Sequence, residues 1–189
     1  AEVSRIEAKK VTLRDGSTID ADLVIAGIGV KPRVALAQAA GLAIDNGVLV
    51  NEYLETSRPG IWAAGDIARW PDPHTGHRLR IEHWVVAERQ GQVAAENVLG
   101  LAQRFDVVPF FWSQHYDMTI RYLGFSLPWQ HVNITGDLAA HHAAVAYRAS
   151  KTVGFATLEE DHVNLEAETA MERNDEKALD ALVPPTNSI

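Results

Sequence analysis

Apolar positions along this chain follow two rhythms, and the change falls near residue 105. Val11-Thr-Leu-Arg and Ser17-Thr-Ile19 flank Asp15-Gly16, a pair that supplies the positive φ of a tight turn, so a hairpin is predicted there. Residues 23–30 are continuously apolar, which marks a strand covered on both faces. Pro32 opens a helix that Gly41 closes, residues 47–50 read as another strand, and residues 61–64 as a third that ends at Gly65-Asp66. From Val85 to about Gln103, the recurrence of Val86, Val93, Ala94 and Leu101 puts one apolar stripe on a helix.

The later stretch is different. Residues 118–125, 131–135, 143–148 and 153–158 are short strand candidates at close spacing. Turn signals stand between them at Leu127-Pro128, Gly136-Asp137 and Ser150-Lys151, which predicts a small antiparallel sheet. Residues 161–182 read as one acidic amphipathic helix, with Leu165, Ala170 or Met171, and Leu179 toward a core. The fold class expected is α/β followed by α+β, with a boundary near 104–109 where the helical pattern stops and Pro109 follows.

Composition narrows the function. With 189 residues and 47% hydrophobic content the chain can bury a core. Its net charge of −8 disfavours nucleic acid and anionic membrane as partners. That charge is unevenly spread: residues 1–104 hold 12 basic and 13 acidic side chains, residues 105–189 hold 5 and 12. No apolar run approaches the roughly 20 residues a bilayer span needs, and no secretory signal is visible, so a cytoplasmic protein is expected. Zero cysteines exclude a disulfide framework, thiolate metal sites and a cysteine nucleophile within this stretch. His74 and His77, or His141 and His142, lack the three or four converging ligands of a metal site, so no metal is expected.

Four segments carry candidate chemistry. Residues 56–66, Thr-Ser-Arg-Pro-Gly-Ile-Trp-Ala-Ala-Gly-Asp, deliver a glycine and then a carboxylate where ligands sit in open α/β sheets. Gly65 lets a ligand approach the backbone and Asp66 can accept hydrogen bonds from hydroxyls, although the dipeptide alone also reads as an ordinary turn. Ala26-Gly-Ile-Gly-Val-Lys-Pro32 follows a buried run, but Pro32 breaks the Gly-x-Gly-x-x-Gly pattern, so it is not a primary pyrophosphate loop. Arg80-Ile-Glu-His-Trp84 and Pro109-Phe-Phe-Trp-Ser113 set large aromatics beside ionisable groups and could line a planar cofactor at a helix start. Core packing accounts for Phe110, Phe111 and Trp112 equally well if each is taken singly.

In order, Asp22-Leu-Val-Ile-Ala-Gly-Ile-Gly-Val-Lys-Pro32, Gly60-Ile-Trp-Ala-Ala-Gly-Asp66, Glu82-His-Trp84 and Phe111-Trp-Ser113 resemble the C-terminal half of an FAD-dependent pyridine nucleotide oxidoreductase. The nearest branch is the ferredoxin reductases of oxygenase systems with the apoptosis-inducing-factor-like flavoproteins. The resemblance implies the returning half of a flavoprotein with two dinucleotide-binding domains, plus a small antiparallel-sheet C-terminal domain. Residues 1–30 would end the NAD-binding domain, 31–104 would be the C-terminal segment of the FAD-binding domain, 105–182 the C-terminal reductase domain, and 183–189 a tail. Gly65 and Asp66 match the FAD ribityl site. Ile28, Gly29 and Val30 match the backbone near the nicotinamide. Glu82, His83 and Trp84 match positions bordering the isoalloxazine, which Trp112 would approach from the C-terminal domain.

The activity so implied passes electrons from NADH or NADPH through FAD to an acceptor, a ferredoxin- or Rieske-type iron–sulfur protein, with no catalytic acid, base or nucleophile in this chain. Neither Gly-x-Gly-x-x-Gly fingerprint is present, so both are expected upstream and this stretch alone is expected to be inactive. His162 and Glu166 lie nearest to the C-terminal His and Glu pair of disulfide reductases, but their spacing and surroundings argue against that chemistry. Arg69, Arg78 and Arg80 sit in a loop that could dock an acidic acceptor. The alternative is a non-catalytic docking or dimerisation module built on the acidic second half, and a homodimer is compatible with either reading.

Overall fold

Asp15-Gly16 turns the chain as the sequence predicts. Gly16 has φ +86, and the Asp15 Oδ1 accepts from the Ser17 N–H at 2.9 Å and the Ser17 hydroxyl at 2.6 Å. The hairpin joins β2 (Lys10–Leu13) to β3 (Thr18–Asp20), with β1 (Val3–Glu7) antiparallel on the other side of β2. These strands belong to the first of two units in the computed structural model, which describes residues 1–125 and 127–185; the units are Ala1–Lys31 and the chain from Pro32 onward.

Within the first unit, residues 23–30 form no strand. Leu23, Ile25, Ile28 and Val30 are exposed, the last three at 86%, 94% and 67%. A doubly covered strand draws its hydrogen bonds from strands on both sides. The sheet of this unit ends at β3, and no described strand pairs with the run.

In the second unit α1 (Ala35–Ala39) starts shortly after Pro32 and stops at Gly41, whose φ of +73 lets the Leu42 N–H donate back to the Ala37 carbonyl at 3.0 Å. A small sheet follows: β4 (Val48–Leu49) is parallel to β5 (Ala68–Pro71), which pairs antiparallel with β6 (Arg78–Leu79). Residues 61–64 are not the third strand expected, holding only a bridge from Trp62 to Glu55 before a 3₁₀ turn at Gly65–Ile67. The true strand partner of β4 begins just past that turn. Residues 69–80 are therefore a hairpin rather than a loop, anchored by fully buried Trp70, whose ring meets Phe105 edge-on at 5.5 Å.

Helix α2 (Trp84–Val98) buries Val86, Gln90 and Asn97. It ends short of Leu101, which is exposed, because Gly100 takes φ +86. Asn97 fixes that end, donating through Nδ2 to the Tyr53 and Gln103 carbonyls and accepting the Gln103 N–H through Oδ1.

The antiparallel sheet forms as expected, with one strand more. β7 (Phe110–His115), β8 (Met118–Gly124), β9 (His131–Asp137), β10 (His142–Arg148) and β11 (Thr152–Leu158) lie in the order β7-β8-β11-β10-β9. The single acidic helix is instead two, α3 (Asp161–Glu172) and α4 (Glu176–Leu182). Asn174 breaks it at φ +52, and the Asp175 side chain caps α4 by accepting the Ala178 N–H. The face of α3 toward the sheet carries Asn164, Ala167, Ala170 and Met171; Leu165 is one residue out of phase and 62% exposed, against expectation. One apolar core runs through this unit, from Leu54 and Trp70 through Phe105 and Val108 to Leu123, Phe155 and Leu179.

Candidate functional site

Gly65 opens the 3₁₀ turn in the left-handed region, at φ +77, and is buried against the first turns of α2. A side chain in that conformation would be strained. Its N–H donates to the Gln90 Oε1 at 2.7 Å. Asp66 follows with its residue exposed, while its carbonyl accepts from the Arg80 Nη1 at 2.9 Å. The same Arg80 nitrogen pairs with the Glu82 Oε1 at 2.7 Å, so one guanidinium ties the turn to the strand-like approach to α2.

His83 is the residue before α2, with an extended backbone and no side-chain cap on the first N–H groups of the helix. Burial lowers the pKa of its imidazole, against the pull of the Asp66 and Glu82 carboxylates, which favour the charged form. Its ring lies 4.5 Å from that of Phe111. Trp84 and Trp112 stand 5.6 Å apart and tilted by 45°, yet both are open to solvent, at 71% and 44% exposure. Glu82, His83, Trp84, Val85, Phe111 and Trp112 together line a cleft of about 240 Å³.

The fold thus brings Glu82, His83, Trp84 and Trp112 into one place, with Asp66 near enough to act on the His83 charge. Trp112 arrives on the edge strand β7, not at a helix start. Ile28, Gly29 and Val30 belong to the first unit, where Gly29 has φ +91. Phe111 and Gln90 complete the arrangement. Gln90 could have been found as the polar residue four positions after Val86 on a helix face that also carries Val93 and Ala94. Exposed indole faces, a carboxylate on a turn without a Cβ at its start, and uncapped helix N–H groups suit a flat ring carrying a hydroxylated chain.

Residues 1–91 match the pyridine nucleotide-disulphide oxidoreductase family. The chain is 42% identical over 125 residues to the anthranilate 1,2-dioxygenase system ferredoxin–NAD(+) reductase component of Burkholderia cepacia, covering 66% of this chain and 31% of that protein. It is 39% identical over 137 residues to putidaredoxin reductase of Pseudomonas putida, covering 72% and 32%. The chain belongs to the ferredoxin reductase branch of the pyridine nucleotide-disulphide oxidoreductases. The reductase in the crystal structure of the covalent putidaredoxin reductase–putidaredoxin complex superposes with a TM-score of 0.80 at 32% identity, over 87% of this chain and 40% of that one. The chain spans about a third of the length of the curated relatives it matches.

For a ferredoxin reductase branch member, the arginine-rich hairpin is less free than its sequence suggests. Arg78 donates to the Val50 carbonyl at 2.8 Å, Arg69 is paired with Asp45, and Arg80 is held as above. His162 and Glu166 form an exposed i,i+4 pair at 3.0 Å on α3. Among the described residues no group of three or more His, Cys, Asp or Glu is placed to hold a metal ion, and no helix is long and apolar enough to cross a membrane. His74 is engaged through Nε2 with the Asp106 carbonyl at 2.6 Å.

Proposed function

We propose that this chain is the flavin-closing part of an NAD(P)H-dependent FAD oxidoreductase whose electrons go to a ferredoxin- or Rieske-type iron–sulfur protein. The observation that carries this reading is the cleft where Glu82, His83, Trp84 and Trp112 converge, in a chain 42% identical to a ferredoxin–NAD(+) reductase component. Residues 1–30 would complete the NAD-binding domain, 31–104 return into the FAD-binding domain, and 105–182 form the C-terminal reductase domain. FAD, when bound, supplies the redox chemistry, and the protein supplies position and electrostatics.

The residues divide that work. Asp66 accepts hydrogen bonds from ribityl hydroxyls, and Gly65 allows the backbone to come close. Trp84 and Trp112 cover the ring and exclude water, which strengthens every electrostatic contact beneath them. The first N–H groups of α2 favour negative charge at their end of the ring. A neutral His83 adds no positive charge there, which agrees with its lowered pKa. Ile28, Gly29 and Val30 offer backbone to the nicotinamide.

The test is to express the full-length protein that carries this chain, record its visible spectrum, and add NADH and NADPH without oxygen. A bound flavin that bleaches with a pyridine nucleotide and then reduces a ferredoxin-type iron–sulfur protein is expected. A full-length protein without flavin, or a flavin that neither nucleotide bleaches, would overturn the reading.

A further inference from the structure

Helix α2 presents Val86, Val93, Ala94 and Asn97 to the interior, and Gln90 lies among them with no exposed surface at all. A methionine or leucine would fill this position with less desolvation cost, so the amide must be kept for a bond it makes. That bond is the 2.7 Å contact in which the Gly65 N–H donates to the Gln90 Oε1. The orientation of the amide follows from it, since exchanging its oxygen and nitrogen would set two donors face to face. The Gln90 Nε2 has no partner among the described residues. One end of the side chain is thus used on the turn and the other is left unpaired in the interior.

Gly65 needs this help. It sits at φ +77, a conformation with no regular ladder to supply an acceptor for its N–H, and the adjoining residue is Asp66. The space beside it would admit a methyl group, with the Ala87 Cβ 3.4 Å away, so packing alone does not pin the turn. We infer that Gln90 is a positioning residue for the cofactor site: through the Gly65 N–H it holds the 3₁₀ turn that presents the Asp66 carboxylate, and it locks that turn to the helix that begins at Trp84, just after His83. This rests on the function proposed above. Without the bond the turn populates other conformations, and apparent affinity falls by the fraction of molecules that remain competent.

The experiment uses the full-length flavoprotein, stripped of FAD and retitrated well below its melting temperature. Gln90→Met keeps the volume and removes the acceptor; it should weaken FAD binding about tenfold, the scale of one lost buried hydrogen bond, and alter the visible circular dichroism of the flavin. Gln90→Glu keeps an acceptor and should restore most of both. Asn164→Leu, another buried amide with an unpartnered nitrogen but on α3, should lower the melting temperature without moving the FAD constant. Should the methionine variant fail to fold, Gln90→Asn, too short to reach Gly65, gives the same reading. Wild-type FAD affinity and dichroism in Gln90→Met, or an equal loss in Asn164→Leu, would overturn the inference while leaving the flavoprotein reading intact. A full-length protein that holds no FAD would overturn both.

Discussion

Replacing Gly65 by alanine separates what the turn costs the fold from what it does for a ligand. The residue has φ +77, where an L side chain costs about 1–2 kcal/mol. The added methyl would stand 3.4 Å from the Ala87 Cβ and 3.9 Å from its Cα, ordinary contact that requires no rearrangement. Strain alone therefore sets the loss, at about 1–2 kcal/mol of unfolding free energy, which in a full-length protein larger than this chain lowers the melting temperature by only a few degrees. On the function proposed above, FAD affinity should fall by about tenfold, because the strained turn spends less time in the conformation that presents Asp66. Gly136→Ala calibrates the measurement: it has φ +88, and its Cβ would overlap the His142 carbonyl oxygen and lie 3.0 Å from the Ala143 Cα, so strand β10 must move. That variant should lose more stability and leave FAD affinity unchanged. Thermal unfolding and FAD titration of both full-length variants decide the matter. Equal destabilisation by the two would refute the spacing argument at Gly65, and unchanged FAD affinity in Gly65→Ala would refute the dependence of the proposed site on that turn's conformation.

Trp70→Ala should cost about 3–5 kcal/mol, the usual price of a buried tryptophan, since its ring is fully enclosed and packs on Phe105; a loss under 1 kcal/mol in denaturant titration would contradict an anchored hairpin. Arg78→Glu should lower stability by about 1–3 kcal/mol, because the buried Val50 carbonyl loses its guanidinium donor. Arg78→Met should do nearly the same, and a change confined to salt-dependent acceptor rates would instead support a docking role. His83 binds a proton less readily folded than unfolded, where its ordinary value is 6.5. Its contribution is thus present above that value and is lost as pH falls below it. The pH profile of stability should be flatter in His83→Phe, and Asp66→Asn should depress the His83 titration further when followed by NMR.

Where the sequence was legible, local chemistry and tertiary structure agreed. Asp15-Gly16 can hardly do anything but turn, and the strands β8 to β11 are short segments set apart by turn signals, each pairing with strands close by in the chain. The grouping in the candidate site was legible for a different reason: the family resemblance joined Glu82-His83-Trp84 to the distant Trp112, which local pattern alone leaves as a core aromatic, and the fold brings these four residues to one cleft. Periodicity failed where pairing decides. Residues 61–64 have strand composition, yet the parallel partner of β4 is Ala68–Pro71, a segment with an arginine and a proline whose pairing no local pattern announces. The break between α3 and α4 depends on Asn174 reaching a left-handed conformation, which asparagine tolerates but does not require. Gln90 was hidden because a polar residue on an apolar stripe resembles an imperfection until its acceptor is matched to the Gly65 N–H.

Exposed apolar surface ties these departures to the function. In the first unit it forms a run at Leu23, Ile25, Ile28 and Val30; in the second it includes the adjacent indoles of Trp84 and Trp112, the stretch Val98, Leu99 and Leu101 at the end of α2, and single residues such as Tyr116 and Leu165. Scattered apolar residues on a surface call for no explanation, but runs of them and paired indoles mark places that something covers. Burial is worth about 25 cal/mol per Å² of apolar area, so a tryptophan left open forgoes stabilisation that the folding of this chain does not recover. The proposed flavin and nicotinamide would recover it on binding. Of the exposed apolar groups, Trp84, Trp112, Ile28 and Val30 are the ones the functional reading assigns to cofactors, so ligand-dependent stabilisation is expected there and not at Leu101 or Leu165, which are also exposed but lie outside the proposed sites.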